Sequence, residues 1–231
     1  EGARMHTPYG ATECLPVATI EAGEVLVETA AKTDAGAGVC VGRPFDTIEW
    51  RIIRITDEPI ATIVDSEELP AGEIGELIVR GPQASPEYVT RAEANAASKI
   101  ADSVTQSEIR NPKSEIDFWH RMGDVGYLDD QGRFWYCGRK SQRVETANET
   151  MFTECVEAIF NTHPDAVRTV LVGLGSPGHQ LPVVFFQLHE EFMRSQTEMA
   201  GELHSLGQQF SHTRSVKLFA EFDKIPVDIR P

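Results

Sequence analysis

Two charged residues, each preceded by a glycine, mark the stretch where residue types that could do chemistry are most concentrated. Asp124 and Arg139 lie within residues 120–144, on either side of an Asp-Asp-Gln-Gly segment at 129–132. An ionised aspartate can accept hydrogen bonds from a sugar diol, and arginine carries a permanent cation. A hairpin that turns at 129–132 returns the arginine to the aspartate. The pattern therefore predicts a polar binding site and not scaffold alone.

A second candidate segment is TPYGATE at residues 7–13. Tyr9 could stack on a flat base, and the small Gly10 lets the backbone approach a ligand closely, so both are candidate binding residues. Thr12 could donate to a phosphate oxygen, and Glu13 could hold a hard cation such as Mg²⁺. The alternative is an ordinary turn that leads into the next strand.

Short apolar strands follow one another through the first 140 residues. The Gly-rich residues 33–44 lack the G-x-x-x-x-G-K-[ST] spacing of a phosphate-binding loop, so they are predicted to form a loop that enters a strand. A helix is predicted over 87–109, with a weak apolar face of Val89, Ile100 and Val104. Strands at this spacing favour a small β-barrel or sandwich. The predicted strands are 17–20, 48–52, 60–64, 75–82, one ending near residue 128, and 133–137.

The rest of the chain favours a compact α+β unit. The pattern predicts, in order, a helix at 154–161 capped by Thr153, strands at 167–172 and 183–188, a helix at 190–210 and a strand at 216–222. We place a domain boundary after Arg139, which gives domains 1–139 and 140–231. The predicted fold class is α+β, with a β-barrel-like first part and a small α+β second domain.

Composition narrows the classes of partner. The 231 residues carry a formal net charge of −15, from 36 acidic and 21 basic side chains. Such a field repels phosphate backbones and anionic membrane surfaces, so we expect no nucleic-acid partner. A nucleotide site would need local basic groups or a metal ion. With 41% hydrophobic residues, the chain can build a packed core.

The spacing of the cysteines and the lengths of the apolar runs indicate the cellular location of the protein. The four cysteines form no C-x-x-C pair, so the sequence favours neither a zinc site nor a secreted disulfide framework. We read them as idle thiols in a reducing cytoplasm, which makes the predicted location cytoplasmic. No run approaches the roughly 18 apolar residues of a transmembrane helix, and no apolar signal core is present at the N-terminus. The chain starts inside a motif and stops at Pro231, so we expect a fragment of a larger protein.

Three motifs stand in a fixed order: YGATE at 9–13, GELIVRGP at 75–82 and RMGDVGYLDDQGRFWYCGR at 121–139. Their order and spacing resemble the C-terminal half of the adenylate-forming superfamily of acyl- and aryl-CoA synthetases, adenylation domains and luciferases. The resemblance covers nearly the whole chain. It implies that residues 1–139 are the C-terminal portion of the large AMP-binding domain, and that 140–231 are a small mobile lid domain, truncated at its end.

The resemblance also implies roles for single residues. Tyr9 matches the aromatic residue beside the adenine, Thr12 the residue that contacts the α-phosphate, and Glu13 the carboxylate associated with Mg²⁺. Asp124 matches the carboxylate that binds the ribose hydroxyls, and Arg139 matches the arginine near ribose and phosphate. ATP or AMP and Mg²⁺ are the expected cofactors, and Thr12 and Glu13 are the expected catalytic residues.

A finer resemblance is to the β-lactone synthetases of bacterial long-chain olefin biosynthesis. Such enzymes, by resemblance, use ATP to join AMP to the carboxylate of a long-chain β-hydroxy fatty acid. The β-hydroxyl then attacks the activated carbon, AMP leaves and a four-membered lactone closes. Protein partners of the olefin pathway, thiolase-like and decarboxylase-like, are implied as well. The stretches that carry this resemblance are GVCVGRP (38–44), RIIRITDEPI (51–60), FWHRMGD (118–124) and FWYCGRK (134–140).

Departures from the superfamily pattern lie beside the Gly-Asp pair and after the Gly-Arg pair. His120 and Met122 replace the usual aromatic residue and threonine. Ser141 stands where the hinge residue is usually Asp or Lys. The Gly-Gly loop of CoA-using members corresponds to TANE at 146–149, which has no glycine. The last two departures fit an enzyme that needs no CoA.

Two parts of the superfamily site are missing from the sequence. The Lys-containing phosphate loop is expected before residue 1, and the C-terminal lysine is expected beyond Pro231. Lys224 precedes Pro226 and lies on the wrong side of that motif to replace it. We therefore expect the isolated chain to be inactive.

Two other functions stay open. One is a long-chain fatty acyl-CoA ligase or fatty acyl-AMP ligase, which shares the adenylation step. The other is a non-enzymatic binding module, in which Asp124 and Arg139 form a surface ion pair and the glycines serve turns. His120 could act as an acid or base near a nucleotide, although a packing role in a strand is the simpler interpretation.

Overall fold

The computed structural model describes residues 2–102, 118–189 and 195–226. Strands dominate and helices are short, so the predicted α+β class is confirmed. The chain separates into two compact units, of which the first comprises Glu1–Thr29 and Val39–Lys140 and the second comprises Ala30–Gly38 and Ser141–Pro231. The assignment of residues 1–139 and 140–231 to a large domain and a lid stays a prediction.

The first unit is built on one antiparallel sheet. Its strands lie in the order β1-β2-β3-β8-β7-β5-β4, and β6 also pairs with β7. Because this order begins at β1 and ends at β4, the described strands form an open sheet and do not close a barrel. The strands are β1 (His6–Ala11), β2 (Cys14–Glu21), β3 (Val39–Pro44), β4 (Glu49–Ile53), β5 (Gly75–Arg80), β6 (Lys99–Ala101), β7 (Phe118–Leu128) and β8 (Phe134–Arg139).

Strand β7 is the long central strand of 11 residues, which pairs with β6 at 118–120, with β5 between 120 and 126, and with β8 at 124–128. The predicted hairpin turn at 129–132 is confirmed. The amide of Asp129 donates to the carbonyl of Arg133 at 3.0 Å. The carboxylate of Asp129 accepts from the amides of Gln131 and Arg133, which explains why an aspartate opens this turn.

A helical segment that the sequence analysis did not predict follows β2. It consists of α1 (Ala22–Glu24), a π-helical turn at Val25–Thr29 and α2 (Ala30–Asp34). The predicted loop at 33–44 therefore contains the end of α2 and all of β3. The segment is held by a distant partner: Glu24 and Glu28 lie 3.0 and 2.8 Å from the buried guanidinium of Arg133.

Two other predicted elements of the first unit are wrong. Residues 60–64 form no strand, and a 3₁₀ turn lies at Ile63–Asp65 instead. The carboxylate of Asp65 accepts from the amide and hydroxyl of Thr62 in a capping box, and β-pairing in this segment is limited to a single bridge between Thr62 and Ala101. Of the predicted helix 87–109, the structure describes residues 87–102, and within these only α3 (Ala92–Ser98) is helical, because Ile100 is buried in β6 against β7. Val89 is exposed, and Val104 lies outside the described residues.

The second unit combines α2 with small sheets and two longer helices. Strand β12 pairs with β11 in antiparallel fashion and with β13 in parallel fashion. A 3₁₀ turn at Lys140–Gln142 spans the change from the first unit to the second. The elements are β9 (Val144–Glu145), β10 (Thr150–Met151), α4 (Thr153–Asn161), β11 (Ala166–Leu174), β12 (Leu181–Leu188), α5 (Gln196–Gly207) and β13 (Leu218–Glu221).

The helix boundaries of this unit correct two expectations. Thr153 does not cap α4: the cap position is Phe152, without a side-chain hydrogen bond, and Thr153 is the buried first helical residue. Helix α5 is shorter than the predicted 190–210, because the hydroxyl of Ser195 accepts from the amide of Glu198 and starts the helix there. Residues 190–194 lie outside the described residues. No helix within the described residues is both long and apolar enough to cross a bilayer.

Each unit has its own apolar core. All four cysteines are buried free thiols. In the first unit the core groups are Cys14, Val17, Ala18, Ile48, Ile52, Leu77, Val79, Met122 and Phe134, and next to them Ile53, Ile60, Ile78, Ile100 and Trp119. In the second unit they are Val144, Met151, Val156, Phe160, Ala166, Leu171, Val184, Phe186, Met199, Leu203 and Val216.

Candidate functional site

Asp124 and Arg139 lie opposite each other on neighbouring strands, because the register of β7 and β8 pairs these two residues directly. Gly123 and Gly138, which precede them, have φ angles of +68° and +131°. L side chains rarely adopt such angles, so a larger residue at either position would strain the backbone that aims the two charges. The two glycines of the sequence pattern are therefore required by the local conformation.

The Asp124 carboxylate is buried but incompletely bonded. Nη1 of Arg139 lies 2.7 Å from Oδ1 of Asp124, as an ion pair without the alignment of a hydrogen bond. Among the described residues, Oδ1 accepts no hydrogen bond. The Arg139 side chain is 46% exposed, and its other contact is Nη1 to the carbonyl of Met122. Burial raises the pKa of Asp124, although the Tyr9 hydrogen bond and Arg139 oppose the rise.

Tyr9 reaches the same carboxylate from β1. Its hydroxyl donates to Oδ2 of Asp124, and its ring packs 5.8 Å from the ring of Phe134. Burial, together with the negative charge of Asp124, raises the pKa of Tyr9, so the hydroxyl remains a donor at neutral pH. The structure thus gives Tyr9 a hydrogen-bonding contact in addition to the flat surface that the sequence suggested.

The turn between β1 and β2 carries the other predicted residues. A Cβ atom at Gly10 would lie 2.5 Å from the carbonyl oxygen of Cys14, so the close approach inside this hairpin requires a glycine. Thr12 is exposed at the turn, and Glu13 is half-buried beside it. The structure therefore places Thr12 and Glu13 on the hairpin that also carries Tyr9.

Tyr88 is a neighbour of Glu13 that the sequence analysis missed. Its hydroxyl donates to Oε1 of Glu13 at 2.9 Å. Partial burial alone would raise the pKa of Glu13, but the Tyr88 hydrogen bond, a hydrogen bond from the backbone amide of Glu13 and the nearby charge of Lys99 hold it below its ordinary value. No local pattern marked Tyr88, since it lay within the predicted helix 87–109. The contact exists because the backbone of Ser85 bonds to that of Glu13 at 2.7 Å.

Lys99 and His120 form a second contact that was missed. Nζ of Lys99 lies 3.1 Å from Nδ1 of His120. Burial and the charge of Lys99 lower the pKa of His120 to about 4, so the imidazole is neutral at neutral pH. His120 is 2% exposed. These surroundings fit the packing role in a strand and leave the ring nitrogen as an acceptor for lysine.

A buried ionic cluster lies next to the Gly-Asp pair. Nη2 of Arg121 is 2.6 Å from Oε2 of Glu76, and the two side chains are 2% and 1% exposed. Nζ of Lys140 lies 3.1 Å from the same oxygen. The strand pattern GELIVRGP gave no hint that Glu76 faces inward, because a single glutamate in an apolar strand usually faces solvent.

Ser141, the predicted hinge residue, is exposed in the 3₁₀ turn at Lys140–Gln142. It begins the second segment of the second unit. Shortly after it, the TANE stretch forms the turn between β9 and β10. The amide and hydroxyl of Thr146 both donate to the carbonyl of Glu149. This turn needs no glycine, because the threonine side chain bonds across it.

Glu13 has the chemistry of a magnesium ligand. Magnesium in nucleotide enzymes is usually held by one or two carboxylates, substrate phosphates and water. Oε1 of Glu13 is held by the Tyr88 hydroxyl, and among the described residues no side chain donates a hydrogen bond to Oε2. The residue therefore fits the ion that the resemblance implies.

A second group with ligand-type atoms lies in the second unit. One ligand atom from each of His163, Asp165 and Glu202 lies within 4.8 Å of the others. The amide of Asp165 donates to Nδ1 of His163, so Nε2 carries the hydrogen and faces Glu202 at 2.9 Å. In this tautomer the imidazole offers no lone pair to an ion.

Comparison with known proteins identifies relatives along almost the whole chain, although no protein-family model matches. Olefin beta-lactone synthetase from Xanthomonas campestris pv. campestris is 44% identical over 229 residues, which are 99% of this chain and 40% of the relative. The chain thus spans about 40% of the length of that relative. The likeness confirms the finer resemblance, which rests on residues 38–44, 51–60, 118–124 and 134–140.

Solved structures show the same fold. Amide bond synthetase McbA from Marinactinospora thermotolerans has a TM-score of 0.72 at 20% identity, over 96% of this chain and 39% of that chain. O-succinylbenzoate coenzyme A synthetase from Bacillus subtilis, in complex with ATP and magnesium ion, has a TM-score of 0.70 at 22% identity, over 96% and 38%. The fold of this chain is therefore that of the corresponding parts of these synthetases.

Proposed function

We propose that this chain, which resembles olefin beta-lactone synthetases along 99% of its length, is the C-terminal part of an AMP-forming enzyme that makes β-lactones. The proposed substrate is a long-chain β-hydroxy fatty acid, and the proposed location is the cytoplasm. Protein partners from the olefin pathway belong to the same proposal.

The Asp124–Arg139 pair is the observation that carries this proposal. A buried carboxylate retains an unbonded oxygen, and the arginine beside it is half exposed. Such a pair can receive the two ribose hydroxyls at the carboxylate while the guanidinium faces a phosphate. Tyr9 holds the second carboxylate oxygen and so fixes the orientation of Asp124. Hydrogen bonds to an ionised acceptor contribute roughly 1.5–3 kcal/mol each.

Thr12 and Glu13 supply the proposed phosphate side of the site. The exposed hydroxyl of Thr12 would donate to an α-phosphate oxygen, and Oε2 of Glu13 would hold the magnesium ion. When bound, the ion would neutralise the charge that develops on the phosphate oxygens. Glu13 contributes to this by staying ionised, since its lowered pKa leaves it a carboxylate throughout the neutral range.

The proposed reaction has two steps. A carboxylate oxygen of the acid attacks the α-phosphate of ATP, the bond to pyrophosphate breaks, and an acyl-adenylate forms. The β-hydroxyl of the same molecule then attacks the acyl carbon, loses its proton and displaces AMP, so a four-membered lactone closes. Because nucleophile and electrophile belong to one molecule, proximity supplies much of the acceleration.

Two features after the Gly-Arg pair support a reaction without CoA. Ser141 takes the hinge position, and the TANE turn places the acidic Glu149 where CoA-using members tend to have glycines. Glu149 is exposed and negatively charged, so it would repel a phosphate-bearing CoA arm. We therefore propose that the second step is lactone closure and not thioester formation.

Product analysis of a protein that contains this chain at the full length of its relatives (the full-length protein) tests the proposal. The protein is incubated with ATP, Mg²⁺ and a 2-alkyl-3-hydroxy acid, with and without CoA. We expect lactone, AMP and pyrophosphate in both reactions. A thioester that accumulates with CoA, with no lactone in its absence, would instead establish an acyl-CoA ligase.

A further inference from the structure

Glu13 is bonded unevenly by the first unit. The amide of Ser85 donates to the Glu13 carbonyl at 2.7 Å, and the hydroxyl of Tyr88 donates to Oε1 at 2.9 Å. Among the described residues, no side chain donates a hydrogen bond to Oε2. A short segment, residues 85–88, therefore fixes both the backbone and one carboxylate oxygen of Glu13, and it leaves the other oxygen available.

Lys99 holds this segment from behind. Its ammonium donates to the carbonyl of Ser85 and lies 5.7 Å from the ring centre of Tyr88. Within the described residues, Lys99 makes no ion pair with a carboxylate. Its charge is bound by a carbonyl, by aromatic faces and by Nδ1 of His120 at 3.1 Å, all of which are neutral acceptors. The Lys99 ammonium thus lies near Glu13 without forming an ion pair with its carboxylate.

We propose that Tyr88 and the Lys99–His120 pair are positioning residues for Glu13, which present its Oε2 atom to a divalent cation. The inference rests on the proposed function, in which Glu13 holds Mg²⁺. The Tyr88 hydroxyl occupies Oε1, which leaves Oε2 to bind the ion, and it fixes the rotamer of the Glu13 side chain. Lys99 keeps the segment 85–88 against Glu13, and His120 keeps Lys99 in place as a neutral acceptor.

A histidine at position 120 suits the contact with Lys99 better than an aromatic hydrocarbon or a carboxylate would. An aromatic hydrocarbon at this position could not accept a hydrogen bond in its plane from lysine. A carboxylate would form an ion pair with Lys99 and draw the ammonium away from Ser85. A buried neutral imidazole accepts one hydrogen bond and adds no charge.

The variant Tyr88→Phe in the full-length protein tests the inference directly, because it keeps the ring that contacts Lys99 and removes only the hydroxyl. Affinity for the non-hydrolysable analogue AMP-CPP is measured by calorimetry with and without Mg²⁺. We expect the gain in affinity that Mg²⁺ produces to fall by about threefold to tenfold, while affinity without Mg²⁺ is unchanged. Tyr127→Phe, in the same unit, is the matched control and should leave the gain unchanged.

Variants of His120 separate positioning from stability. His120→Gln retains an acceptor for Lys99 and should preserve most of the Mg²⁺ gain, whereas His120→Leu should lose as much of it as Tyr88→Phe. The double variant Tyr88→Phe/His120→Leu should lose little more than either single variant, because both act on one carboxylate. Equal gains in the wild type, Tyr88→Phe and His120→Leu would overturn the inference.

Glu13→Gln distinguishes this failure from failure of the proposed function. A full-length protein that makes lactone and loses its Mg²⁺ gain in Glu13→Gln, but not in Tyr88→Phe, refutes the positioning role alone. A wild-type protein that forms neither AMP nor lactone refutes the function. If Glu13→Gln keeps the full Mg²⁺ gain in a lactone-forming protein, Glu13 is not the ligand and the inference fails with it.

Discussion

Two arginine–carboxylate pairs each have one member on strand β7, Arg121 in one pair and Asp124 in the other. The surroundings of the two pairs differ sharply. Arg121 and Glu76 are sealed from solvent, with side chains 2% and 1% exposed. Asp124 is equally deep at 5%, but its partner Arg139 is 46% exposed. Both pairs join neighbouring strands of the same sheet, so the difference lies in what else each pair touches.

The sealed pair is saturated. Arg121 donates from Nε and Nη2 to Glu76, and it donates further to the carbonyls of Thr56, Glu58 and Ala97. Lys140 adds a second cation to Glu76. Within the described residues, all three nitrogens of the Arg121 guanidinium donate and both oxygens of Glu76 accept, so the pair holds β5, β7 and the residues around 56–58 together.

The open pair is incomplete. Oδ1 of Asp124 accepts no hydrogen bond within the described residues, and Nε and Nη2 of Arg139 donate none there. Burial raises the pKa of Asp124, which means that folding has a free-energy cost for keeping it ionised. Groups that a fold keeps at such a cost are typical of binding sites. The comparison therefore supports a structural role for the sealed pair and is consistent with the proposed binding role of the open pair.

The largest effect is expected from breaking the sealed pair. Arg121→Met leaves the buried Glu76 with one cation fewer and should lower the free energy of unfolding by about 3–5 kcal/mol. Thermal unfolding of the full-length protein measures this. The double variant Arg121→Met/Glu76→Met should recover part of the loss, because it leaves no orphaned carboxylate. A stable Arg121→Met variant that no longer binds nucleotide would reverse the assignment of the two pairs.

Breaking the open pair should act on binding alone. Asp124→Asn removes the negative acceptor and should weaken AMP binding by one to two orders of magnitude, since charge-assisted bonds contribute roughly 1.5–3 kcal/mol each. The unfolding temperature should stay level or rise, because the raised pKa of Asp124 makes its charge unfavourable for folding. Calorimetric titration with AMP, paired with thermal unfolding, checks both halves. A large drop in stability with unchanged AMP affinity would contradict the binding role.

A third buried carboxyl group, that of Glu157, predicts how the stability of the protein depends on pH. Burial raises the pKa of Glu157 in α4 to about 7, against a hydrogen bond from the amide of Leu171. The folded protein therefore binds more protons than the unfolded chain between pH 4.5 and about 7, so stability falls as pH rises through that window. Glu157→Gln should flatten this decline, measured as unfolding temperature at pH 5 and pH 7.5. The exposed Glu149→Gln is the control, and an identical decline in all three proteins would refute the assignment.

The smallest effect is expected from Tyr9→Phe, which removes only the hydroxyl that bonds Asp124. AMP binding should weaken by about threefold to tenfold, as for one hydrogen bond of 0.5–1.5 kcal/mol. The Tyr9 hydrogen bond lowers the pKa of Asp124, so its loss raises that pKa further. As pH falls, AMP binding by the variant should therefore weaken at a higher pH than binding by the wild type. Parallel pH profiles would show that Tyr9 acts only through its ring.

Local signals predicted the elements that depend on local chemistry. The turn at 129–132 follows from an aspartate that bonds the amides of its own turn, and α4 follows from an apolar face at helical spacing. The strand predicted at 60–64 and the long helix at 87–109 were wrong for the opposite reason. A capping box between Thr62 and Asp65 starts a 3₁₀ turn inside the predicted strand, and pairing of Ile100 with β7 ends the helix after Ser98.

The residues of the candidate site could be predicted where they stand in sequence motifs, but not where only the fold brings them together. Asp124, Arg139, Tyr9 and Glu13 stand in motifs whose residue types and spacing carry the resemblance, and the binding roles given to them remain predictions. Tyr88 and Lys99 carried no such signal. Tyr88 reaches the site because the amide of Ser85 bonds to the carbonyl of Glu13, more than seventy residues away in the chain, and Lys99 lies beside it because β6 pairs with β7.

The sequence by itself determined the fold class, the hairpin that returns Arg139 to Asp124, and the family resemblance, because turn residues, strand periodicity and motif order are local properties. Only the tertiary structure decided which charges are saturated. Whether a carboxylate keeps an unbonded oxygen depends on every strand that packs around it. For this reason the two buried acids have different proposed roles: Glu76 stabilises the fold, and Asp124 binds a ligand.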